Sequence, residues 1–307
     1  MLCYDANVSA PPRAVRVAIV IVNYRSYPEL RACLAALEHR PAGTVVIVVD
    51  QQSDPAAAGS IEESFPHIRL LRMTGNDGFA AGVNRGARET HTPYLLLLNP
   101  DTLVEPDLCT WLADWLDAHP AIGVAGPRLR NDDGSIQASA RRFPDCTTAI
   151  AGRSSWLTRA LPGNWLSRWN LPALDTASTV PVEVDWVSGA CMMIRREAFD
   201  VVGGMDEGFF LYWEDADFCR RIVRAGWRTA YCPGAGAVHA GGRSSRHATD
   251  ASLVAFHGSA FRLFWKHASA PARLIAPVVF LGLRARLAYM RHRARAKERA
   301  LVVRQGS

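Results

Sequence analysis

The sequence predicts an α/β fold around a mostly parallel central sheet flanked by helices, and three observations carry that expectation. Strand-like and helix-like segments alternate from Val15 onward. Several strand-like segments are apolar on both faces, as strands covered on two sides must be; "YLLLLNPDT" at 94–102 is the clearest. Polar residues suited to ligand binding, Asn23, Asp50, Asn99 and Asp101, fall at the carboxyl ends of those strands, the edge where such sheets bind ligands.

The elements follow in order. Residues 1–14, with Pro11-Pro12, read as a loose lead-in, and Val15–Asn23 as the first strand. Glu29–His39 is helical, with Leu30, Leu34 and Leu37 on one face. Thr44–Asp50 is a second buried strand and Ile68–Met73 a short third; Gly78–Thr90 is a helix. Tyr94–Asn99 is the fourth strand, stopped by Pro100, which has no N–H for the ladder. Pro106–His119 is helical and Ile122–Gly126 a strand.

Beyond it, Gly126–Pro144 carries the turn pair Asp133-Gly134 and reads as a hairpin or long loop. Thr147–Val180, with Trp156, Trp165 and Trp169 among Gly, Pro and Ser, takes no assignment. Val182–Val187 alternates like a strand, Arg196–Val202 starts a helix stopped by Gly203-Gly204, and Arg228–Cys232 is strand-like. Glu214–Ala225 is a helix with acids in its first turn, arginines later and Gly226 closing it. Ser252–His267 places Leu253, Phe256, Ala260 and Phe264 at helical spacing. Leu274–Leu283 is apolar, broken by Pro277 and too short to cross a bilayer. In the Arg-rich stretch 284–299 the arginines are spread around the helix axis, so no clean amphipathic helix is expected.

Composition excludes several classes. The 307 residues are 49% hydrophobic and 21% charged, as in a globular protein with a substantial core. The seven cysteines are scattered without a Cys-x-x-Cys pair, which argues against a disulfide framework or a zinc site and fits a reducing cytosol. No signal-type apolar run precedes the first strand, so a cytoplasmic location is expected. From Arg284 onward eight Lys/Arg face a lone acid, Glu298, so the preceding chain carries a formal charge of −1 out of a total of +6. A neutral body with a basic tail points to a negatively charged partner surface, and attachment to the inner face of the cytoplasmic membrane is the expectation. Nucleic-acid binding is not expected, because the tail interleaves few aromatics beyond Tyr289.

The chemistry is carried by isolated acids and amides. No Gly-x-Gly-x-x-Gly follows the first strand, where "VIVNYRSYPEL" stands, and no phosphate-binding Gly-rich Lys loop occurs. Asp50 is placed to accept from the imide N–H of a uracil or thymine, and Asn84, within the glycine-rich "GNDGFAAGVNRG", is a further donor-binding candidate. Asp101 and His239 are the candidate ligands of a divalent cation, Mg²⁺ or Mn²⁺, on a diphosphate. Glu214, Asp215 and Asp217 crowd the first turn of a helix behind Phe209, Phe210, Tyr212 and Trp213. Burial and like-charge neighbours there would raise one carboxyl toward a general-base value, and Asp217 is expected to orient Arg220 or Arg221.

These blocks resemble the inverting glycosyltransferase family 2, with its GT-A fold, and in particular its rhamnosyltransferase-like bacterial members. The resemblance runs from about Val15 to Ser245 through "IVNYRS", "VVD", "NDGFAAGVNRG", "LLLLNPDT", "VDWVSGACMMIRREAFDVVGGMDEGFFLYWEDADFCRRIVRAGWR" and "VHAGGRSS". It implies that Asp50 reads the pyrimidine and that Asn99-Pro100-Asp101 is similar to the Asp-x-Asp signature, with Asp101 on the metal. It implies further that Asp215 is the general base and His239 completes the metal site, with Trp213, Glu214 and Asp217 beside the acceptor or behind the residues that touch it. The chain departs from the family in "DQQSDP", where the family usually has Asp-Asn-x-Ser. The implied domain plan is a GT-A domain over 15–250, with 15–126 the nucleotide-sugar half and 127–250 the acceptor and catalytic half, then a helical basic extension over 251–307. The implied activity is transfer of a sugar, L-rhamnose from dTDP-L-rhamnose or a sugar from UDP or GDP, to a saccharide acceptor linked to polyprenyl diphosphate. A sugar nucleotidyltransferase lacks support without a triphosphate loop, and a non-catalytic sugar-nucleotide-binding scaffold stays open.

Overall fold

In a computed structural model, which describes residues 15–39, 41, 43–144, 178–239 and 250–305, the first strand is the spine. β1 (Val17–Asn23) is buried throughout and lies between β2 (Thr44–Asp50) and β4 (Tyr94–Leu98), parallel to both. β3 (Arg69–Arg72) continues that sheet beyond β2. Their register sets Asn23 beside Asp50, so the two polar residues end neighbouring strands at the same height. On the other side of β4, β10 (Cys191–Arg195) runs antiparallel between β4 and β6 (Ile122–Arg130). β11 (Arg228–His239) follows parallel to β6 and closes the edge with two antiparallel strands, β5 (Thr102–Val104) and β8 (Val182–Val184). Among the described residues six of the sheet's nine strands share one direction. A small separate pair joins β7 (Ala140–Arg141) to β9 (Trp186–Val187).

Helices cover both faces, which is why the central strands are apolar on both sides. Leu96 and Leu98 of β4 face a layer built by α1 (Tyr27–Ala36), α2 (Pro55–Ser64) and α4 (Leu108–Ala118). Leu95 and Leu97 face the opposite layer, built by α3 (Phe79–Arg88), α5 (Arg196–Val201) and α6 (Glu214–Arg224). Helix α3 sits unusually close to β1: a Cβ at Gly82 would lie 2.6 Å from Val22 Cγ1, and one at Gly86 would lie 2.5 Å from Val20 Cγ1. These two glycines of "GNDGFAAGVNRG" therefore serve helix–sheet packing rather than ligand approach.

Several boundaries differ from the sequence reading, each for a local reason. The strand expected to end at Gly126 continues to Arg130, with Pro127 opposite the point where β11 bulges between Cys232 and Gly236. Val182–Val187 is two strands: the Asp185 carboxylate accepts from Phe143 N (2.7 Å) and Arg142 (3.2 Å), turning the chain toward β7. Helix α2 was not expected, since its Ala-rich face has no apolar stripe; Asp54 caps it through Ala57 N (2.9 Å), with Pro55 in the first turn. The expected loop after His239, the tryptophans 156, 165 and 169, and the lead-in lie outside the described residues.

Three helices complete the chain, α7 (Asp250–His267), α8 (Ala270–Arg273) and α9 (Ala276–Gln305). Pro277 does not break the last of them but begins it, in the first turn, where its missing N–H costs no intrahelical bond. Helix α7 is fastened to α6 by Asp217, whose fully buried carboxylate accepts from Arg221 Nε (2.8 Å), Lys266 Nζ (2.8 Å) and His267 Nε2 (2.7 Å). Burial alone would raise this carboxyl, but bonds from His267, Lys266 and Arg221 hold it below the ordinary aspartate value. Asp217 is thus a structural lock between helices, engaging Arg221 and not Arg220, with its carboxylate buried away from any open surface.

Asp217→Asn leaves the partly buried Arg221 and Lys266 cations and the buried His267 ring facing a neutral amide and is expected to cost about 3–5 kcal/mol, lowering the thermal midpoint by on the order of 10 °C. Because the folded-state pKa is depressed, this contribution is complete above the unfolded value of ~3.9 and lost as pH falls through the lower folded value. Thermal unfolding as a function of pH should show an acid-side loss of stability that is smaller in the variant.

Candidate active site

At the carboxyl edge of β1 and β2, Asn23 and Asp50 are both fully buried and hydrogen-bonded, Asn23 Nδ2 to Asp50 Oδ1 at 2.7 Å. Asp50 Oδ2 accepts from the Tyr27 hydroxyl (2.9 Å) and the Ser53 hydroxyl (2.5 Å). Both oxygens are therefore engaged within the protein. Next to it, Gln51 stands where the family-like sequence would have Asn, and its amide bridges outward: Nε2 donates to Gly78 O (2.7 Å) and Oε1 accepts from Asp77 N (3.0 Å). The departure in "DQQSDP" thus pins the loop that begins α3.

The second group forms where β4 ends and β11 returns. Pro100 and Asp101 turn the chain into β5, which pairs antiparallel with the end of β11, His239 opposite Thr102. That pairing brings His239 Nε2 within 3.2 Å of Asp101 Oδ1. Gln137 fixes the ring: its Nε2 donates to His239 O and Asn131 Oδ1, both at 2.8 Å, so its Oε1, 2.9 Å from His239 Nδ1, must accept. His239 Nδ1 then carries a proton, which makes Nε2, beside the Asp101 carboxylate, the nitrogen free to bind a ligand. Two such donors side by side suit a divalent cation, and an outer partner orienting a ligating imidazole is the arrangement metal sites use. Among the described residues no third His, Cys, Asp or Glu joins them. Asn99 lines the adjoining cleft, with its backbone held by Ala190 O (2.9 Å).

The carboxylate pair is presented by a strained turn. Tyr212 (φ 66°) and Trp213 (φ 69°) are successive bulky residues in the left-handed region, each costing about 1–3 kcal/mol. The turn is held from outside. Phe79 N donates to Phe210 O (2.9 Å), the Ser259 hydroxyl to Leu211 O (2.9 Å), and Gly78 (φ +90°) lies so close that a Cβ would be 2.4 Å from Phe210 O. Immediately after it, α6 begins with Glu214 and Asp215. Asp215 Oδ2 accepts from Gly189 N (3.2 Å) and Oδ1 from Ala216 N (2.8 Å). Burial raises Asp215, opposed by those two N–H groups and by the Arg141 charge. Burial raises Glu214 well above its ordinary value, reinforced by the Asp215 charge, and its Oε2 has no hydrogen-bond partner among the described residues. Of the pair, Asp215 therefore has the N–H donors that favour the ionised form, and Glu214 Oε2 has none among those residues.

The carboxylate pair and His239 open on one cleft of about 650 Å³, lined also by Asn99 and Gly189 and walled by aromatics, with Asp101 just behind His239. Trp213 packs 5.4 Å from Phe256 and 6.2 Å from Trp186, ring centroid to centroid. Asn84 is not part of it: its amide is used on Met205 O (2.9 Å), Met205 N (2.9 Å) and Glu207 (2.9 Å), and it lines a separate hollow beside Arg196. Its role is to anchor the segment leading to the strained turn, a correction to the donor-binding expectation. Gln137, Arg141, Trp186 and Phe256 on the cleft wall were not singled out as site residues by sequence reading. Only the turn pair Asp133-Gly134 hinted that 126–144 folds back, and nothing local marked these side chains.

Comparison with known proteins gives a consistent result. The family described as "Glycosyltransferase like family 2" matches residues 12–254. An N-acetylglucosaminyl-diphospho-decaprenol L-rhamnosyltransferase of Mycobacterium tuberculosis is 31% identical over 258 residues, 79% of this chain and 82% of its own length. Rhamnosyltransferase WbbL of Escherichia coli is 28% identical over 165 residues, 53% of this chain and 58% of its own. Among solved structures, a mannosyltransferase from Pyrobaculum calidifontis in complex with GDP-Man and Mn²⁺ superposes with a TM-score of 0.57 at 18% identity, over 97% of this chain and 83% of that one.

Gln137→Leu should release the His239 ring. In ¹⁵N-labelled protein the variant is expected to show a mixture of imidazole tautomers where the native chain shows Nδ1–H alone; an unchanged tautomer would mean that Gln137 does not set it.

Proposed function

This chain belongs to glycosyltransferase family 2 and has the GT-A fold, and from that premise we propose that it transfers L-rhamnose from dTDP-L-rhamnose, with inversion, to a saccharide linked to polyprenyl diphosphate. Membership makes it a glycosyltransferase of polysaccharide synthesis. Donor, acceptor and stereochemistry are the proposal, supported by the relative at 31% identity whose name states a rhamnosyl transfer to a decaprenol-diphosphate-linked N-acetylglucosamine. The observation that carries the reading is that the Asp215–Glu214 pair and His239, whose Nε2 lies 3.2 Å from Asp101, open on one cleft.

The residues then divide the work. Asp101 and His239 Nε2 would hold the divalent cation, with Gln137 keeping the ring in the ligating tautomer. When bound, that cation would neutralise charge on the departing nucleoside diphosphate. Asp215, ionised and oriented by Gly189 N and Ala216 N, takes the proton from the acceptor hydroxyl as its oxygen bonds to the anomeric carbon. The bond from that carbon to the diphosphate oxygen breaks on the opposite side, so one displacement inverts the centre. Glu214, protonated, adds no second negative charge beside the base. Trp213, Trp186 and Phe256 supply flat apolar surface for the acceptor sugar and keep water from the donor.

The test is rhamnosyl transfer from dTDP-L-rhamnose to N-acetylglucosaminyl-diphospho-polyprenol, with product stereochemistry read by NMR. Asp215→Asn should lower kcat by ~10²–10⁴-fold with donor affinity unchanged; loss of donor binding in calorimetry would contradict the base role. EDTA, Asp101→Asn and His239→Ala should each abolish metal-dependent donor binding. Because a base must be ionised, kcat/KM should fall toward acid with a midpoint above the ordinary aspartate value. Glu214→Gln should leave that limb in place, since Glu214 is already neutral where Asp215 titrates.

A further inference from the structure

Helix α9 has two apolar faces on opposite sides. Ala276 and Leu287 are buried, and Leu283 and Met290 partly so; this inner face packs on α7, where Phe280 meets Phe261 edge-on at 5.3 Å. Val278, Leu281, Ala285, Ala288 and His292 recur at steps of three and four on the other side, with Tyr289 beside them, all exposed. Leu274, just before the helix, and Val278 are the most exposed large hydrophobic residues described, at 82% and 71%. On a helical projection Arg284, Arg291 and Arg295 border the outer stripe on one flank, and Arg286 and Arg293 on the other. Arg291 pairs back onto Asp250 of α7 and Arg286 lies over Phe256, so Arg284, Arg293 and Arg295 are the arginines that edge the stripe. The sequence reading saw arginines all round the axis because the two apolar faces oppose each other; the structure resolves them into two flanks.

We propose that the outer face of α9, with Leu274, docks in the plane of an anionic lipid bilayer. An apolar stripe edged by arginines is the pattern of a helix lying at a lipid surface, with guanidinium groups reaching the headgroups while their stems follow the apolar boundary. The charge supports the choice of occupant: from Arg284 onward Glu298 is the lone acid against eight Lys/Arg. A second copy of this face fits poorly, since both flanks are basic and self-pairing would set arginine against arginine. No described helix is long and apolar enough to span a membrane, so the contact is lateral. The docking face is one side chain from the cleft: Arg286 lies 5.6 Å over the Phe256 ring, which lines the cleft wall. Delivery of a lipid-linked acceptor to that wall rests on the reading of function above; the docking itself does not.

Co-sedimentation of the full chain with phosphatidylcholine vesicles, with and without phosphatidylglycerol, tests it without donor or acceptor. The native chain should pellet with the anionic vesicles, and on the order of tenfold less with phosphatidylcholine alone or at high salt. Val278→Glu with Leu281→Glu, both exposed, should keep the thermal midpoint and lose vesicle binding, and Tyr289→Trp should give a blue-shifted emission on anionic vesicles. The proposal is overturned if the native chain stays in the supernatant, if the double variant pellets equally, if binding ignores anionic lipid, or if light scattering shows a dimer that the double variant dissociates.

Discussion

The site depends on one strand pairing. β11 follows β6 in parallel, bulges after Cys232 opposite Pro127, and resumes at Gly236 to pair antiparallel with β5. A bulge re-aims a strand, and here the re-aimed end sets His239 across from Thr102, one residue beyond Asp101. Asp101 and His239 are 138 positions apart in the chain numbering, and no local preference joins them. Without that pairing the acid at the end of "LLLLNPD" would be turn punctuation.

A second constraint complements it. The turn at Tyr212–Trp213 holds two consecutive aromatic residues where L side chains are disfavoured, and it persists because neighbours fix it from several directions. Gly78 and Phe79 clasp Phe210, Ser259 of α7 holds Leu211, and Asn84 ties down Met205 upstream. Asp217 then locks α7 to α6. The strained turn delivers Glu214 and Asp215 together at a helix start, facing the cleft, with backbone N–H donors on Asp215 and, among the described residues, none on Glu214 Oε2.

Much of the fold was legible because its signals are local. The apolar strands ending in Asn23, Asp50 and Asn99 declare themselves by composition, and Glu214–Arg224 by acids first and arginines last. β10 was harder: "CMMIR" runs straight into α5 with no turn residue to separate strand from helix. The site was legible only in part. Acids at element ends can be picked out singly, but Gln137 acquires its role from bonds to His239 and Asn131, and Phe256 from a helix that arrives late in the chain. Asn84 misled for the same reason in reverse: its glycine-rich surroundings suggested a ligand loop, whereas the glycines answer to the packing of α3 on β1. The two-faced α9 also defeats sequence periodicity, since opposed apolar stripes cancel.

The central claim is that one cleft holds a metal on Asp101 and His239 and a base on Asp215. Crystals grown with Mn²⁺ and dTDP, measured at the manganese absorption edge, address it most directly. The account predicts an anomalous peak within coordination distance of Asp101 Oδ1 and His239 Nε2 and against the diphosphate, with the Asp215 carboxylate open on the far side of the vacant sugar position. A peak elsewhere, or dTDP bound outside the cleft, would contradict it.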